Sequence, residues 1–195
     1  MSRRPTNGGG GSASHPSATT PKTLLSWPSI AVREPSDAAA TAAEVLDRLG
    51  VRWALMGALA AAQYRDRPRF TTDADFLVEP HAGLAAAFEA AGYDVRAVGD
   101  AEEPDMLLVR GGGDRIDLLL ATVDYLRNAL ARAHAGVVTV EDVIVQKLIA
   151  WRPRDRDDIA SILDAGHDLD DAYIARWAAT FEAVDRWDQA RARRD

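Results

Sequence analysis

Thr71-Thr72-Asp73-Ala74-Asp75-Phe76-Leu77-Val78, reached from Met56-Gly57-Ala58, is the stretch on which the reading of this chain turns. Its two carboxylates stand two residues apart in an otherwise β-branched and apolar run. A strand repeats every two residues, so Asp73 and Asp75 point to the same face. Like charges crowded on one side of a strand repel, and nothing in local folding rewards them. A shared divalent cation would reward them. Magnesium takes oxygen ligands, a few carboxylates together with the phosphates of a nucleotide.

Working outward, the periodicity and the turn residues divide the chain into short elements. Ser36-Asp37 reads as a helix start, and Ala38 to Leu49 has helical spacing closed by Gly50. Val51 to Met56 reads as a strand ending at Gly57, Ala58 to Tyr64 as a helix, and Phe70 to Val78 as the next strand. Pro80 opens a helix that ends near Gly92, and Tyr93 to Val98 is extended. Asp105 to Val109 and Arg115 to Leu120 flank Arg110-Gly111-Gly112-Gly113-Asp114, which makes a hairpin. Asp124 to Ala133 is helical and Gly136 to Val140 briefly extended. Glu141 to Trp151 is an apolar helix stopped by Pro153, and Asp155 caps a further helix to about Leu163. Asp170 to Arg194 reads as one amphipathic helix carrying Trp177, Phe181, Val184 and Trp187. The sum is α+β, a small mixed sheet followed by an all-helical tail.

Composition sets the bounds. The chain has 195 residues, 47% of them hydrophobic, enough for one domain with a real core. A net charge of −7 argues against a generally basic nucleic-acid binder, though not against a local basic groove. Without cysteine there are no disulfides or thiolate zinc sites, which is compatible with the cytoplasm. No apolar run approaches a membrane span, and the first residues do not read as a signal peptide. Basic charge is almost wholly arginine, the bias of a GC-rich bacterial genome. Lys147 therefore stands out, since the only other lysine is Lys22 in the amino-terminal tail. Residues 1–28, rich in Gly, Ser, Thr and Pro, are expected to be disordered.

The order of these parts resembles the nucleotidyltransferase superfamily with the DNA-polymerase-β-type palm, most closely the AbiEii-type minimal nucleotidyltransferases of bacteria. The family pattern is a strand, a Gly-Gly or Gly-Ser turn, a helix, then a strand bearing Asp-x-Asp. Met56-Gly57-Ala58, Leu59 to Arg65 and Asp73-Ala74-Asp75 match these parts, and Arg69 to Asp75 is similar to the family's lead-in. A second match is Val140 to Ile159. It resembles the family's lysine-bearing helix, short arginine-rich turn and Asp-x-x-Asp helix start. Together the two cover roughly residues 38 to 165. The resemblance divides the chain into a palm over 29–135 and a C-terminal helical segment over 136–195 packing on it.

The resemblance also assigns roles. Gly57 lets a triphosphate approach the main chain, and amides at the start of the following helix bind phosphate. Ala58 departs from the family's Gly or Ser and offers no hydroxyl. Asp73 and Asp75 become metal ligands. The third carboxylate is Asp117, isolated among apolar residues, where a lone acid is costly unless paired or metal-bound. Lys147 neutralises phosphate charge, with Asp158 and Asp155 as its orienting partners. Arg65, Arg67 and Arg69 meet the triphosphate or an RNA backbone, or else form a solvated basic loop; Arg152 and Arg154 carry the same ambiguity.

Two magnesium or manganese ions would then serve an in-line attack of an acceptor hydroxyl on the α-phosphorus of a nucleoside triphosphate. Asp117 would be the base or metal bridge, and pyrophosphate would leave. The implied acceptor is RNA such as the tRNA 3′ end, or a protein, for a toxin opposed by an antitoxin protein. An aminoglycoside hydroxyl and a catalytically weak binding module are the alternatives. Gly111 to Gly113 is a turn and not a phosphate loop, since no Lys-Ser or Lys-Thr follows. His15, His81, His134 and His167 lack ligand spacing, and Trp177 and Trp187 read as core or partner-facing anchors.

Overall fold

A computed structural model describes residues 35–67, 70–100 and 102–192. Arg69 and the tail expected to be disordered lie outside the described residues. Helix α1 (Pro35–Leu49) opens the described chain, with Asp37 in its first turn and Arg48 in its last, each complementing the helix dipole. Its buried residues Ala38, Ala39, Ala42, Val45 and Leu46 form one stripe at helical spacing. Gly50, at φ +74°, ends the helix.

Five strands follow in the spatial order β1 (Trp53–Leu55), β2 (Ala74–Val78), β5 (Asp114–Leu120), β4 (Pro104–Gly111), β3 (Asp94–Gly99). β1 runs antiparallel to β2, β2 parallel to β5, and β5, β4 and β3 antiparallel in turn. Short helices α2 (Gly57–Ala62) and α3 (Leu84–Ala90) link β1 to β2 and β2 to β3. Five more helices complete the described residues: α4 (Asp124–Arg132), α5 (Val140–Ala150), α6 (Pro153–Asp164), α7 (Asp171–Thr180) and α8 (Val184–Arg191). The α+β class and the mixed sheet expected from the sequence are what is found.

The two faces of the sheet bury different sets of residues. Ala74, Phe76 and Val78 of β2, with Ile116, Leu118 and Leu120 of β5, pack with the stripe of α1 and with Leu84 and Phe88 of α3. The alternate residues Leu77 and Leu119 face the other way, into a core shared with Val143, Ile144, Leu148, Ile159, Ile162 and Trp177 from the later helices. Period two then puts Asp75 on the Leu77 face and Asp117 on the Leu119 face.

Several boundaries differ from the sequence expectation, each for a local reason. The second strand begins at Ala74 and not at Phe70. Phe70 is exposed, and the Thr71 hydroxyl lies within reach of the Asp73 main chain, a local bond that competes with a ladder. α3 begins at Leu84, four residues after Pro80. The hairpin is tighter than expected: Gly112 and Gly113, both at positive φ, make a two-residue turn, and β4 extends through Arg110 and Gly111. α5 is not ended by Pro153 but by Trp151 in the left-handed region at φ +47°, and Pro153 is the first residue of α6. Arg152 takes the cap position, so Asp155 stands at the third helical residue, accepting from the Arg152 main-chain N–H at 3.0 Å. Asp158 accordingly lies deeper in α6, one turn beyond Asp155.

The expected single helix over Asp170 to Arg194 is two. α7 ends at Thr180, Glu182 turns left-handed at φ +52°, and the Ala183 N–H returns to the Ala178 carbonyl at 2.7 Å. That is a Schellman turn built without glycine, which is why the sequence did not announce it. Trp177 and Trp187, read as core or partner-facing anchors, are both buried in the core. Among the described residues no helix is long and apolar enough to cross a membrane.

Candidate active site

The register of β2 with β5 places Asp75 directly beside Asp117. In a parallel pair such neighbours share a face. Asp73 precedes β2 by one residue, and its charge also reaches Asp75. Burial, then the charges of Asp117 and Asp73, push the Asp75 carboxyl up to about 6. The Ala58 main-chain N–H and the positive charge of Lys147 oppose that rise. Ala58 therefore spends its amide on Asp75. Gly57, at φ +62°, leaves the space that the Asp75 carboxylate fills.

The outer two acids each meet an arginine. Asp73 Oδ1 lies 3.0 Å from Arg115 Nε, and Asp117 Oδ1 lies 2.6 Å from Arg110 Nη2. Arg110 and Arg115 stand opposite each other in the β4–β5 ladder. Such like-charged neighbours are destabilising, and the two acids compensate them. Sequence reasoning missed both arginines. The signal was the pair Gly112-Gly113: a two-residue turn fixes the register and lines up Arg110, Arg115 and Asp117 on one face.

Beside the acids lies a buried ionic cluster. Lys147 Nζ sits 2.6 Å from Asp158 Oδ2 and 3.6 Å from Asp155 Oδ1. Arg65 Nη1 reaches the other oxygen of Asp158 at 2.7 Å, and Arg152 Nε reaches Asp155 at 2.6 Å. Lys147, Asp155 and Asp158 are all buried. Burial works to raise the Asp155 carboxyl, but the hydrogen bonds and charges of Arg152 and Lys147 hold it below its ordinary value. The structure thus brings Lys147 together with Asp158 and Asp155, and commits Arg65 to Asp158 instead of an open phosphate. Arg67 and Arg154 are exposed and join neither group.

The donor set suits a hard divalent cation in kind: in-register carboxylates on adjacent strands, one held near neutral pKa by its neighbours' negative charge. Its arrangement does not close around an ion. Among the described residues, no three carboxylates or imidazoles converge enough to hold a metal. The arginine contacts of Asp73 and Asp117 are the local reason. Two of the described histidines do other work: His81 Nδ1 accepts from the Gly83 N–H at 3.0 Å, and His167 Nε2 lies 2.7 Å from the Tyr64 carbonyl.

A mixed sheet with paired acids on its central parallel strands, flanked by a glycine turn, defines the class to which known proteins can be compared. No protein-family model matches the sequence, and no curated protein matches it. Among solved structures, the chain is similar to ANT(2'')-Ia in complex with adenylyl-2''-tobramycin. The TM-score is 0.51 at 17% identity, over 78% of this chain and 99% of that one. It also matches an antigenic nucleotidyltransferase-like protein from Paracoccidioides brasiliensis. That TM-score is 0.42 at 18% identity, over 67% of this chain and 74% of the other. At such identities the likeness shows the fold alone, the one this chain shares with ANT(2'')-Ia.

Proposed function

We propose that this chain transfers a nucleoside monophosphate from a nucleoside triphosphate to an acceptor hydroxyl, with release of pyrophosphate. The observation that supports the reading is Asp75 set beside Asp117 in register, its carboxyl raised to about 6 next to a glycine turn. Structural packing gives no return on two adjacent half-buried acids on the central strands, whereas a polyphosphate chemistry does.

Asp75 and Asp117, in register, are the two carboxylates a magnesium or manganese ion would need here, with the triphosphate's own oxygens making up the rest of its ligands; such an ion would neutralise triphosphate charge and acidify the acceptor hydroxyl. The exposed Arg115, and Arg69 by the resemblance, supply positive charge for the triphosphate. Lys147, turned onto Asp158, acts on the site through its charge on Asp75.

For the acceptor, a second reading gains support over the RNA or protein substrate of an AbiEii-type toxin. A net charge of −7 repels an RNA backbone and attracts a polyamine-bearing sugar. The fold likeness covers 99% of ANT(2'')-Ia, whose complex holds an adenylylated tobramycin. A small cationic polyol of the aminoglycoside type is the acceptor we favour.

The test is incubation of labelled triphosphates and magnesium with an aminoglycoside panel and, separately, total RNA. The parent and Asp75→Ala are compared. Label in an aminoglycoside with the parent alone is the expected result. Label in RNA would restore the toxin reading and its antitoxin. Equal label from both proteins contradicts the site. Magnesium-dependent thermal stabilisation by a triphosphate without any transfer would instead identify a binding module.

A further inference from the structure

Arg152 and Arg154 stand two residues apart in one short turn and read alike in the sequence, but the structure separates them. Trp151 leaves α5 in the left-handed region at φ +47°, which an L side chain adopts rarely. Pro153 then disfavours the helical region for Arg152, which is extended at φ −71° and ψ 161°. The sharp turn folds Arg152 back onto Asp155. Asp155 Oδ2 accepts from the Arg152 main-chain N–H at 3.0 Å and from its Nε at 2.6 Å, and Oδ1 accepts from Nη2 at 3.3 Å. Arg154 is exposed and joins no ion pair among the described residues. Arg152 belongs to the cluster beside the acids, since Asp155 Oδ1 also lies 3.6 Å from Lys147 Nζ. The charge of Asp75 reaches both Lys147 and Arg152. Within that cluster Lys147, Arg65 and Arg152 face only Asp155 and Asp158, so three cations against two carboxylates leave one positive charge over. The side chains of Lys147 and Arg65 are 7% and 8% exposed, and that of Arg152 is 55% exposed. The surplus charge therefore meets solvent at Arg152.

We propose that Arg152 is the residue of this cluster that binds the triphosphate, a role that rests on the nucleotidyl-transfer reading above. A planar guanidinium offers paired N–H donors that match two phosphate oxygens. Asp155, 1% exposed, fixes the plane of that group before any ligand arrives, so little further freedom is lost on binding. Lys147 shares the charge of Asp155, so the carboxylate that anchors Arg152 does not cancel it. Lys147 and Arg65 are committed to Asp158 and act from inside, by keeping the cluster positive. Such a patch draws a polyanion to one place on a chain whose net charge is −7. Lysine cannot replace the fork, since a single ammonium does not hold a carboxylate on one edge and phosphate oxygens on another.

The test uses the full chain and inorganic tripolyphosphate in EDTA, with affinity read by calorimetry and folding by thermal denaturation. The parent is expected to bind, and Arg152→Gln to bind roughly tenfold more weakly or worse, with Arg152→Lys between them. Arg154→Gln removes the same charge two residues away and is expected to change affinity by no more than about threefold, since an exposed charge is screened. If Arg152→Gln fails to fold, Arg152→Lys is read in its place: weaker binding supports the fork, and the parent's affinity overturns it. An Arg152→Gln protein that binds as the parent does would make Arg152 a helix cap alone and overturns the proposal. An equal loss in Arg154→Gln would reduce the effect to net charge and overturns it as well. A parent that does not bind tripolyphosphate also overturns it, and the transfer reading is then decided separately by the labelled assay above.

Discussion

A β-carbon at position 57 would lie 2.0 Å from Asp75 Oδ2 and 2.7 Å from its Cγ. The glycine is required by the acid itself, besides any ligand that approaches it. Its φ of +62° adds a second demand that an L side chain meets only with strain. Gly57→Ala must therefore displace the carboxylate and hold an unfavourable backbone. We expect a loss of about 2 kcal/mol or more in urea denaturation, together with loss of transfer. A variant as stable and as active as the parent would refute the close fit.

The raised Asp75 carboxyl makes a prediction about pH. Its ordinary value of 3.8 applies to the unfolded chain, and burial with Asp117 and Asp73 moves it to about 6 in the fold. Between those values the folded state binds more protons than the unfolded one, so stability falls as pH rises through the window and levels off above it. A displacement of this size corresponds to roughly 2–3 kcal/mol at most. Asp75→Asn should remove that slope, gain stability at pH near 7 and lose transfer. Urea unfolding at about pH 4.5 and 7.5 for both proteins isolates the contribution, since the other carboxylates cancel in the comparison. An Asn variant with the parent's slope would show that Asp75 is not the strained group.

How much of this was readable beforehand depends on the kind of signal. The Gly112-Gly113 turn and the apolar alternation of β2 and β5 are local, and they gave the hairpin and the face of Asp75 directly. The parallel pairing that sets Asp75 beside Asp117 joins residues far apart in sequence. No local pattern chooses that partner; Asp117 is reached from the third carboxylate that the resemblance calls for and from its isolation among apolar residues. The break after α7 was invisible because Glu182 occupies a turn position where glycine is the usual mark. Arg110 was missed because a five-residue turn had been read where two residues suffice, which hid its place in the ladder. Arg65 was read as a phosphate ligand because a basic loop beside an acidic motif suggests one. Its partner Asp158 comes from a helix more than ninety residues away.

Lys147 and Asp158 are buried and 2.6 Å apart, so removing either leaves the other in a poor environment. Lys147→Met leaves Asp158 still paired with Arg65 and is expected to cost about 2–3 kcal/mol. Asp158→Asn leaves two buried cations short of a partner and is expected to cost about 3–5 kcal/mol. The double variant should cost less than the sum, as a double-mutant cycle in urea would show. Lys147 also lowers the Asp75 carboxyl through space, so Lys147→Met should move the acid limb of the pH–rate profile to higher pH. An unmoved limb would confine Lys147 to a structural role.

Tyr173 provides the last test, on the helix that backs the lysine-bearing one. Its hydroxyl donates to Asp142 Oδ1 at 2.6 Å, joining α7 to the first turn of α5. Asp142 is fully buried, and burial raises its carboxyl even against the hydrogen bonds of Tyr173 and Thr139. The Arg132 guanidinium completes the cluster, 3.9 Å from the centre of the Tyr173 ring. Tyr173→Phe keeps the ring and its cation contact but takes a hydrogen bond from a buried carboxylate, a loss of about 1.5–3 kcal/mol. The missing bond favoured the ionised acid, so its removal raises Asp142 further. The deficit should be full at neutral pH and narrow in acid, where the proton itself relieves the buried charge. A deficit that stays constant with pH would mean that the hydroxyl serves packing and not the charge of Asp142.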